Sequence, residues 1–190
     1  MIRAILCAGV LAAAALGTVA ASAAPNDART ANQLTKEDRD FFEDAAQGGL
    51  FEVKLGQVVV KQGASEDVKQ FAQRMIDDHS RANQELSRLA AKKQMPMPTA
   101  IETRDQALYD KLAKLEGAKF DDAYMDAMRK DHDQVVADFR KQASDGQDPD
   151  LQKFAQKTLP TLEEHDRMAR DLASGRGEMM NAPMRPNYRR

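Results

Sequence analysis

Apolar residues recur at three- and four-residue spacing through almost the whole chain after residue 35, and no segment alternates with a period of two. This pattern predicts an all-α protein. The first helix starts at Thr35, whose side chain can cap it, with Glu37 and Asp38 in the first turn. Its stripe is Phe41, Ala45, Gly48, Glu52, Leu55 and Val59, and Gly63 stops it. A second helix, capped by Ser65 and ending near Lys93, carries Val68, Phe71, Ala72, Met75, His79, Ala82, Leu86 and Leu89. A long connection from Gln94 to Gly117 contains a short helix, Arg104 to Glu116, with Leu108, Leu112 and Leu115 on one side. The next long helix runs from about Ala118 to Ala143 along Tyr124, Met125, Met128, His132, Val135, Val136 and Phe139, and Asp145-Gly146 closes it. Asp148 caps the last helix, with Pro149 at its first position. That helix shows Leu151, Phe154, Ala155, Thr158, Leu162, His165, Ala169 and Leu172, and Pro160 inside it is expected to kink or break it.

The chain also echoes itself. DVKQFAQRM from Asp67 matches DLQKFAQKT from Asp150, and an acid-acid-His cluster follows each copy, with three extra residues in the second. Two related helical hairpins joined by a long connection describe a four-helix bundle with one crossover.

The N-terminus has a different character. Arg3 is followed by a run of Ala, Leu, Val and Gly from Ala4 to Val19, then by small residues around Ala23 and Ala24. This is the anatomy of a cleaved secretory signal, and the run is short for a spanning helix, which needs about 20 residues. The expected organisation is a signal peptide over 1–24, a flexible lead over 25–34, the bundle over 35–174 and a disordered Met/Pro/Arg tail over 175–190. Cleavage near Ala23 or Ala24 removes the single cysteine, so the mature chain has no thiol ligand and no disulfide. The expected location is the periplasm, with no transmembrane span in the mature part. Net charge is −2, but the tail contributes +3 and the body Pro25 to Ser174 carries −6. An acidic helical body without a basic face argues against nucleic acid as a partner.

Three histidines are the whole histidine content, and each follows acids near the middle of a long helix: Asp77-Asp78-His79, Asp131-His132 and Glu163-Glu164-His165. With Glu52 they fall close to the helix midpoints on the stripes that face the bundle axis. At about 1.5 Å rise per residue the four lie within roughly 5 Å of one level. One carboxylate and three imidazoles converging there are a metal-ligand set, so Glu52, His79, His132 and His165 are the candidate metal ligands. Asp78, Asp131 and Glu164 are candidates for the acceptors that orient the imidazoles, or for additional ligands if the helices rotate slightly. Nitrogen and oxygen donors without thiolate suit one transition metal ion: Cu, Zn, Fe or Mn. Protonated imidazoles do not ligate, so affinity is expected to fall below about pH 6. A buried Glu–His network without metal fits the same residues. Ferritin-type di-iron sites need Glu-x-x-His on two helices, and the residues three before the histidines are Ile76, Arg129 and Leu162. A di-iron oxidase is disfavoured on that ground. Met75, Met128 and Met168 lie one turn from the histidines and read as core filler, with thioether ligation of copper as the alternative. No nucleophile elbow, phosphate-binding glycine loop or His-Glu-x-x-His is present, and an enzyme is not the expected reading.

The segments AAQGGLFEVKLGQ around Glu52, VKQFAQRMIDDHSRANQEL around His79, FDDAYMDAMRKDH ending at His132 and FAQKTLPTLEEH ending at His165 resemble an exported bacterial family, domain of unknown function four-one-four-two. The family is often labelled as outer-membrane proteins. The resemblance covers Glu37 to Leu172 and implies a ferritin-like bundle. A related family with a Met-Ile-x-His-His motif is associated with periplasmic copper handling, and this chain has Asp78 where that motif has its first histidine. The expectation is therefore an exported, non-enzymatic bundle that binds a transition metal in its core, with a role in envelope stress or metal tolerance. The alternative is a structural or protein-interaction module with a polar Glu/His core.

Overall fold

The structure, a computed structural model, describes residues 34–175. Five helices make up these residues: α1 Lys36–Gln62, α2 Glu66–Lys93, α3 Thr103–Leu112, α4 Gly117–Asp145 and α5 Pro149–Ala173. There is no strand among the described residues. The fold is an all-α, ferritin-like four-helix bundle with α3 in its crossover. Apart from Leu34 and Gly175, the segments expected as signal, lead and tail lie outside the described residues.

The caps fall where the sequence puts them. Thr35 Oγ1 accepts from the Asp38 backbone N–H at 3.1 Å. Ser65 Oγ accepts from Val68 N–H at 3.5 Å. Asp148 Oδ1 accepts from Asp150 and Leu151 N–H at 3.1 and 3.0 Å. Each cap satisfies N–H groups that have no partner inside the helix.

Long-range bonds fix how the hairpins face each other. Asp38, in the first turn of α1, accepts from the backbone N–H groups of Gln147 and Asp148, at 3.2 and 3.0 Å, in the α4–α5 turn. Asp121, near the start of α4, accepts from Ala64 and Ser65 N–H, at 3.1 and 2.6 Å, in the α1–α2 turn. Asp38 and Asp121 stand 83 residues apart, the same interval that relates Asp67 to Asp150. The repeat is thus also a repeated device, in which each hairpin clamps the turn of the other. Gly63 and Gly146 close the two turns at the same interval. A Cβ on Gly63 would meet Val59 O at 2.8 Å, and one on Gly146 would meet Gln142 O at 2.6 Å, so neither turn has room for a side chain.

These clamps make α1 antiparallel to α4. Lys93, at the end of α2, binds Asp148 and Asp150 at the start of α5, at 2.6 and 2.9 Å, so α2 is antiparallel to α5. The connection 94–116 therefore runs the length of the bundle and returns the chain to the opposite end. Two apolar clusters fill the interior. One contains Phe51, Leu55, Phe71, Met75, Phe120, Tyr124 and Met128, and Leu112 of α3 seals it. The other contains Phe41, Phe42, Leu86, Val136, Phe139, Phe154 and Leu162.

Three expectations change. The crossover helix ends at Leu112, capped at Ala113, and not at Glu116; Gly117 (φ 60) then turns the chain into α4. Pro160 does not break α5, which runs through it to Ala173. Pro160 and Gln156, the residue whose carbonyl loses its donor, are both exposed, so water can serve that carbonyl. The buried face of α1 is wider than one stripe: Phe42, Ala46, Phe51 and Gly56 are buried, while Ala45 and Gly48 are half-buried.

Candidate metal centre

Between the two apolar clusters lies a single polar layer. α1 contributes Glu52, α2 contributes Asp78 and His79, α4 contributes Asp131 and His132, and α5 contributes His165. Glu52 is 2 % exposed, His79 6 %, and His132 and His165 0 %. Of the four sequence-predicted residues, the three histidines come together in one group, and Glu52 lies 2.8 Å from His79 and 3.6 Å from His132. The three imidazole centroids are 5.3–5.9 Å apart, and one ligand nitrogen from each ring lies within 4.8 Å of the others.

Each imidazole has one nitrogen set against an oxygen. His79 Nδ1 lies 2.8 Å from Glu52 Oε2. His132 Nδ1–H donates to the Met128 carbonyl at 3.1 Å, one turn back on the same helix. A carbonyl only accepts, so this bond assigns the proton to Nδ1. His165 Nε2–H donates to Asp78 Oδ2 at 2.8 Å. The other nitrogens, Nε2 of His79, Nε2 of His132 and Nδ1 of His165, are buried and have no hydrogen-bond partner. Each neutral ring therefore keeps a free lone pair inside the bundle.

Burial keeps these rings neutral. It pushes the pKa of His79 and of His165 down to about 4, and Asp78 and Asp131 offset only part of that. His132 is also lowered, first by burial, against the pull of Glu52. Burial raises Glu52. Burial and the neighbouring Glu52 charge push Asp131 up to about 7. Glu52 Oε1 lies 3.6 Å from His132 Nε2, and it too lacks a hydrogen bond. Glu52, Asp131 and His132 form a second group of donor atoms within 4.8 Å, sharing His132 with the first.

The acidic neighbours divide. Asp78 orients a histidine, though it is His165 of α5 rather than the adjacent His79. Burial would raise its carboxyl, but the bond from His165 and the charges of His165, Arg81 and Arg74 outweigh that and hold it low. Asp131 joins the layer beside Glu52. Glu164 does not: it binds Arg167 at 3.1 and 2.7 Å on the outer face. Met75, Met128 and Met168 are buried in the apolar cluster, as core residues. The buried, partnerless hydroxyl of Tyr124 was not singled out by the sequence; its only signal was a place on the apolar stripe. A cavity of about 520 Å³ also reaches Glu52 and His79 from the surface. Helix periodicity gives no hint of it, because it depends on how far α1 and α4 stand apart.

The chain matches the family model described as "Domain of unknown function (DUF4142)" over residues 23–172, and it belongs to that family. No curated protein matches it. Its fold is similar to the crystal structure of a DUF305 fragment from Deinococcus radiodurans, with TM-score 0.66 and 13% identity over 75% of this chain and 98% of that one. It is also similar to a DUF305 protein from Streptomyces coelicolor described as a "putative secreted protein", with TM-score 0.63 and 17% identity over 74% and 94%. At such identities the likeness concerns the fold. No described helix is long and apolar enough to cross a membrane.

Proposed function

We propose that this DUF4142 member is an exported, periplasmic, non-enzymatic protein that binds one transition metal ion in the core of its bundle, in the service of metal tolerance or the envelope stress response. The observation that carries the reading is the set of three buried imidazoles. His132 and His165 each have one nitrogen held by an acceptor, His79 Nδ1 lies 2.8 Å from Glu52 Oε2, and each ring has its other nitrogen buried and without a partner. A buried nitrogen that lacks a partner costs stability. Three of them in one layer are relieved together by a single cation. The acceptors Glu52, Asp78 and the Met128 carbonyl then act as the outer bonds that orient metal-bound histidines. Glu52 Oε1 is available as a fourth donor, completing the set Glu52, His79, His132 and His165. Neutral imidazole with at most one carboxylate favours Zn or Cu(II) over harder ions such as Mn.

The test is elemental analysis of the mature protein, purified without a His-tag, together with thermal melts with and without chelator. Metal near one per chain and a melting temperature that drops under chelator are expected. The His79→Ala/His132→Ala double variant should lose the metal, and retention of metal in that variant would sink the reading.

A second reading has one observation in its favour. Asp131 is pushed up to about 7 beside Glu52, so the two carboxyls can share a proton and leave the layer satisfied without metal. That reading predicts no co-purified metal and no stabilisation by added Zn, Cu, Fe or Mn.

A further inference from the structure

We infer that the cavity between α1 and α4 is the entry route by which a divalent cation reaches the histidine layer, a reading that rests on the metal site proposed above. The cavity has a volume of about 520 Å³ and touches Glu52 and His79 at its inner end. Both residues are more than nine-tenths buried, and each presents an atom without a partner, Glu52 Oε1 and His79 Nε2. Apolar clusters cover the layer towards the two ends of the bundle, so a charged ion has no comparable way in from there.

The outer part of the cavity is strongly negative. Glu37, Asp40, Asp44, Asp138 and Asp145 line it, and Lys141 is the only Lys or Arg that does. Lys36 pairs with Asp40. Asp44 forms no ion pair among the described residues. Its carboxyl is pushed up, first by burial and then by the charges of Asp138 and Asp40, while Arg104 compensates only in part. Asp44 on α1 and Asp138 on α4 thus oppose each other across the cavity with their charge poorly neutralised. Between them and Glu52 the walls include Phe41, Phe139 and Leu162. Low-dielectric walls around one sign of charge focus the field and raise the local cation concentration. The ion can exchange water for Asp44 and Asp138 first and for Glu52 next, before it meets the imidazoles.

Gly48 supplies the way to block this route. It lines the cavity, and a Cβ there would meet nothing within 4 Å. Leucine is a better helix former than glycine, so Gly48→Leu should fold while its side chain fills the passage. The experiment is stopped-flow loading of the purified protein with Zn²⁺ alone, and release to a chromophoric chelator. A plug changes the barrier and not the end states, so Gly48→Leu should slow loading and release alike, by about tenfold or more, with equilibrium affinity unchanged. Asp44→Asn/Asp138→Asn should slow loading about three- to tenfold at low salt and flatten its dependence on ionic strength. This pair is on the surface, so it serves as the independent test if Gly48→Leu is poorly folded. Unchanged loading rates in both variants, with affinity intact, would overturn the route and leave the metal site standing. Wild-type protein that takes up no Zn²⁺ would remove the site and the route together.

Discussion

Replacing His165 with leucine separates the charge of the buried layer from its packing. His165 is fully buried, and its pKa is pushed down to about 4. The unfolded chain takes up the same proton near the ordinary value of about 6.5. Between those values the unfolded state binds a proton that the folded state refuses. His165 therefore withdraws stability as pH falls from about 6.5 towards about 4, and it costs nothing of this kind at neutral pH. The whole gap corresponds to about 3 kcal/mol, of which about 2 kcal/mol is lost between pH 7 and pH 4.5. Leucine carries no proton and removes that loss. It also removes one hydrogen bond to a carboxylate, worth about 1.5–3 kcal/mol at neutral pH. Asp78 keeps Arg74 and Arg81 as partners. Asp131, raised to about 7, pulls the other way, since a folded state that binds its proton more tightly gains stability as pH falls. It is present in both proteins and cancels to first order in the difference. The assay is urea unfolding of chelator-treated wild type and His165→Leu at about pH 7, 5.5 and 4.5. Wild type should be the more stable at neutral pH, and the difference should move in favour of the variant by about 2 kcal/mol at the acid end. A difference that holds constant to about 0.5 kcal/mol over this range would refute a buried, neutral His165.

The same pKa shifts move the expected pH limit of metal binding. With His79 and His165 held neutral down to about 4, pH titration of Zn²⁺ binding should show affinity persisting below pH 6 and collapsing only near pH 4 to 5, with a midpoint at 6 or above counting against the layer as the site. Asp121→Ala strips the acceptor from two backbone N–H groups of the α1–α2 turn and should cost about 2–4 kcal/mol in urea unfolding, with Asp38→Ala at least as severe because Gln142 loses its partner too. A loss below about 1 kcal/mol for either would show that water replaces the clamp. Pro160→Ala restores a donor to the Gln156 carbonyl in a helix already formed and should raise stability by about 1–3 kcal/mol; a lower unfolding midpoint would mean that the ring is accommodated without cost.

Much of the fold was legible because capping chemistry is local. Thr35, Ser65 and Asp148 each satisfy N–H groups two or three residues on, so their roles can be read from neighbours in sequence. The convergence of Glu52, His79, His132 and His165 was legible for a different reason: helices of similar length, paired end to end, put their midpoints at one level. Features that depend on which face meets which helix were not. Asp78 orients the histidine of α5 and not its own neighbour, and Glu164 turns outward to Arg167 although both precede a histidine by one residue. Asp38 was read as part of a helix start, but its carboxylate also serves a turn more than 100 residues away. The cavity beside Glu52 arises from the gap between α1 and α4, and spacing along the chain does not encode that gap.

The interval of 83 residues makes a sharper point about the layer. It maps Asp38 on Asp121, Gly63 on Gly146 and Ser65 on Asp148, so clamps, turns and caps follow the twofold repeat. The polar layer departs from that interval: the acid-acid-His clusters ending at His79 and His165 stand 86 residues apart, three more than the clamps. At 83 residues Glu52 instead maps on Val135, Gly49 on His132, His79 on Leu162 and Ala82 on His165. A polar layer needed only to fix helix register could have been duplicated with the hairpin, two identical pairs facing across the axis. At the 83-residue interval each ligand instead has an apolar or minimal residue as its counterpart. Gly49 and Ala82 add almost no bulk beside the cavity where their counterparts carry imidazoles, and both line it. One ligand set with a cavity at Glu52 and His79 suits one small cation with one way in better than it suits a symmetric structural seam. Installing the mates therefore tests the idea directly. Ala82→His should place a fourth imidazole at the inner end of the cavity, and Zn²⁺ loading should slow or change its stoichiometry while unfolding stability in chelator changes by no more than about 2 kcal/mol. Loading kinetics and stoichiometry identical to wild type would show that the inner end of the cavity has no bearing on the ion.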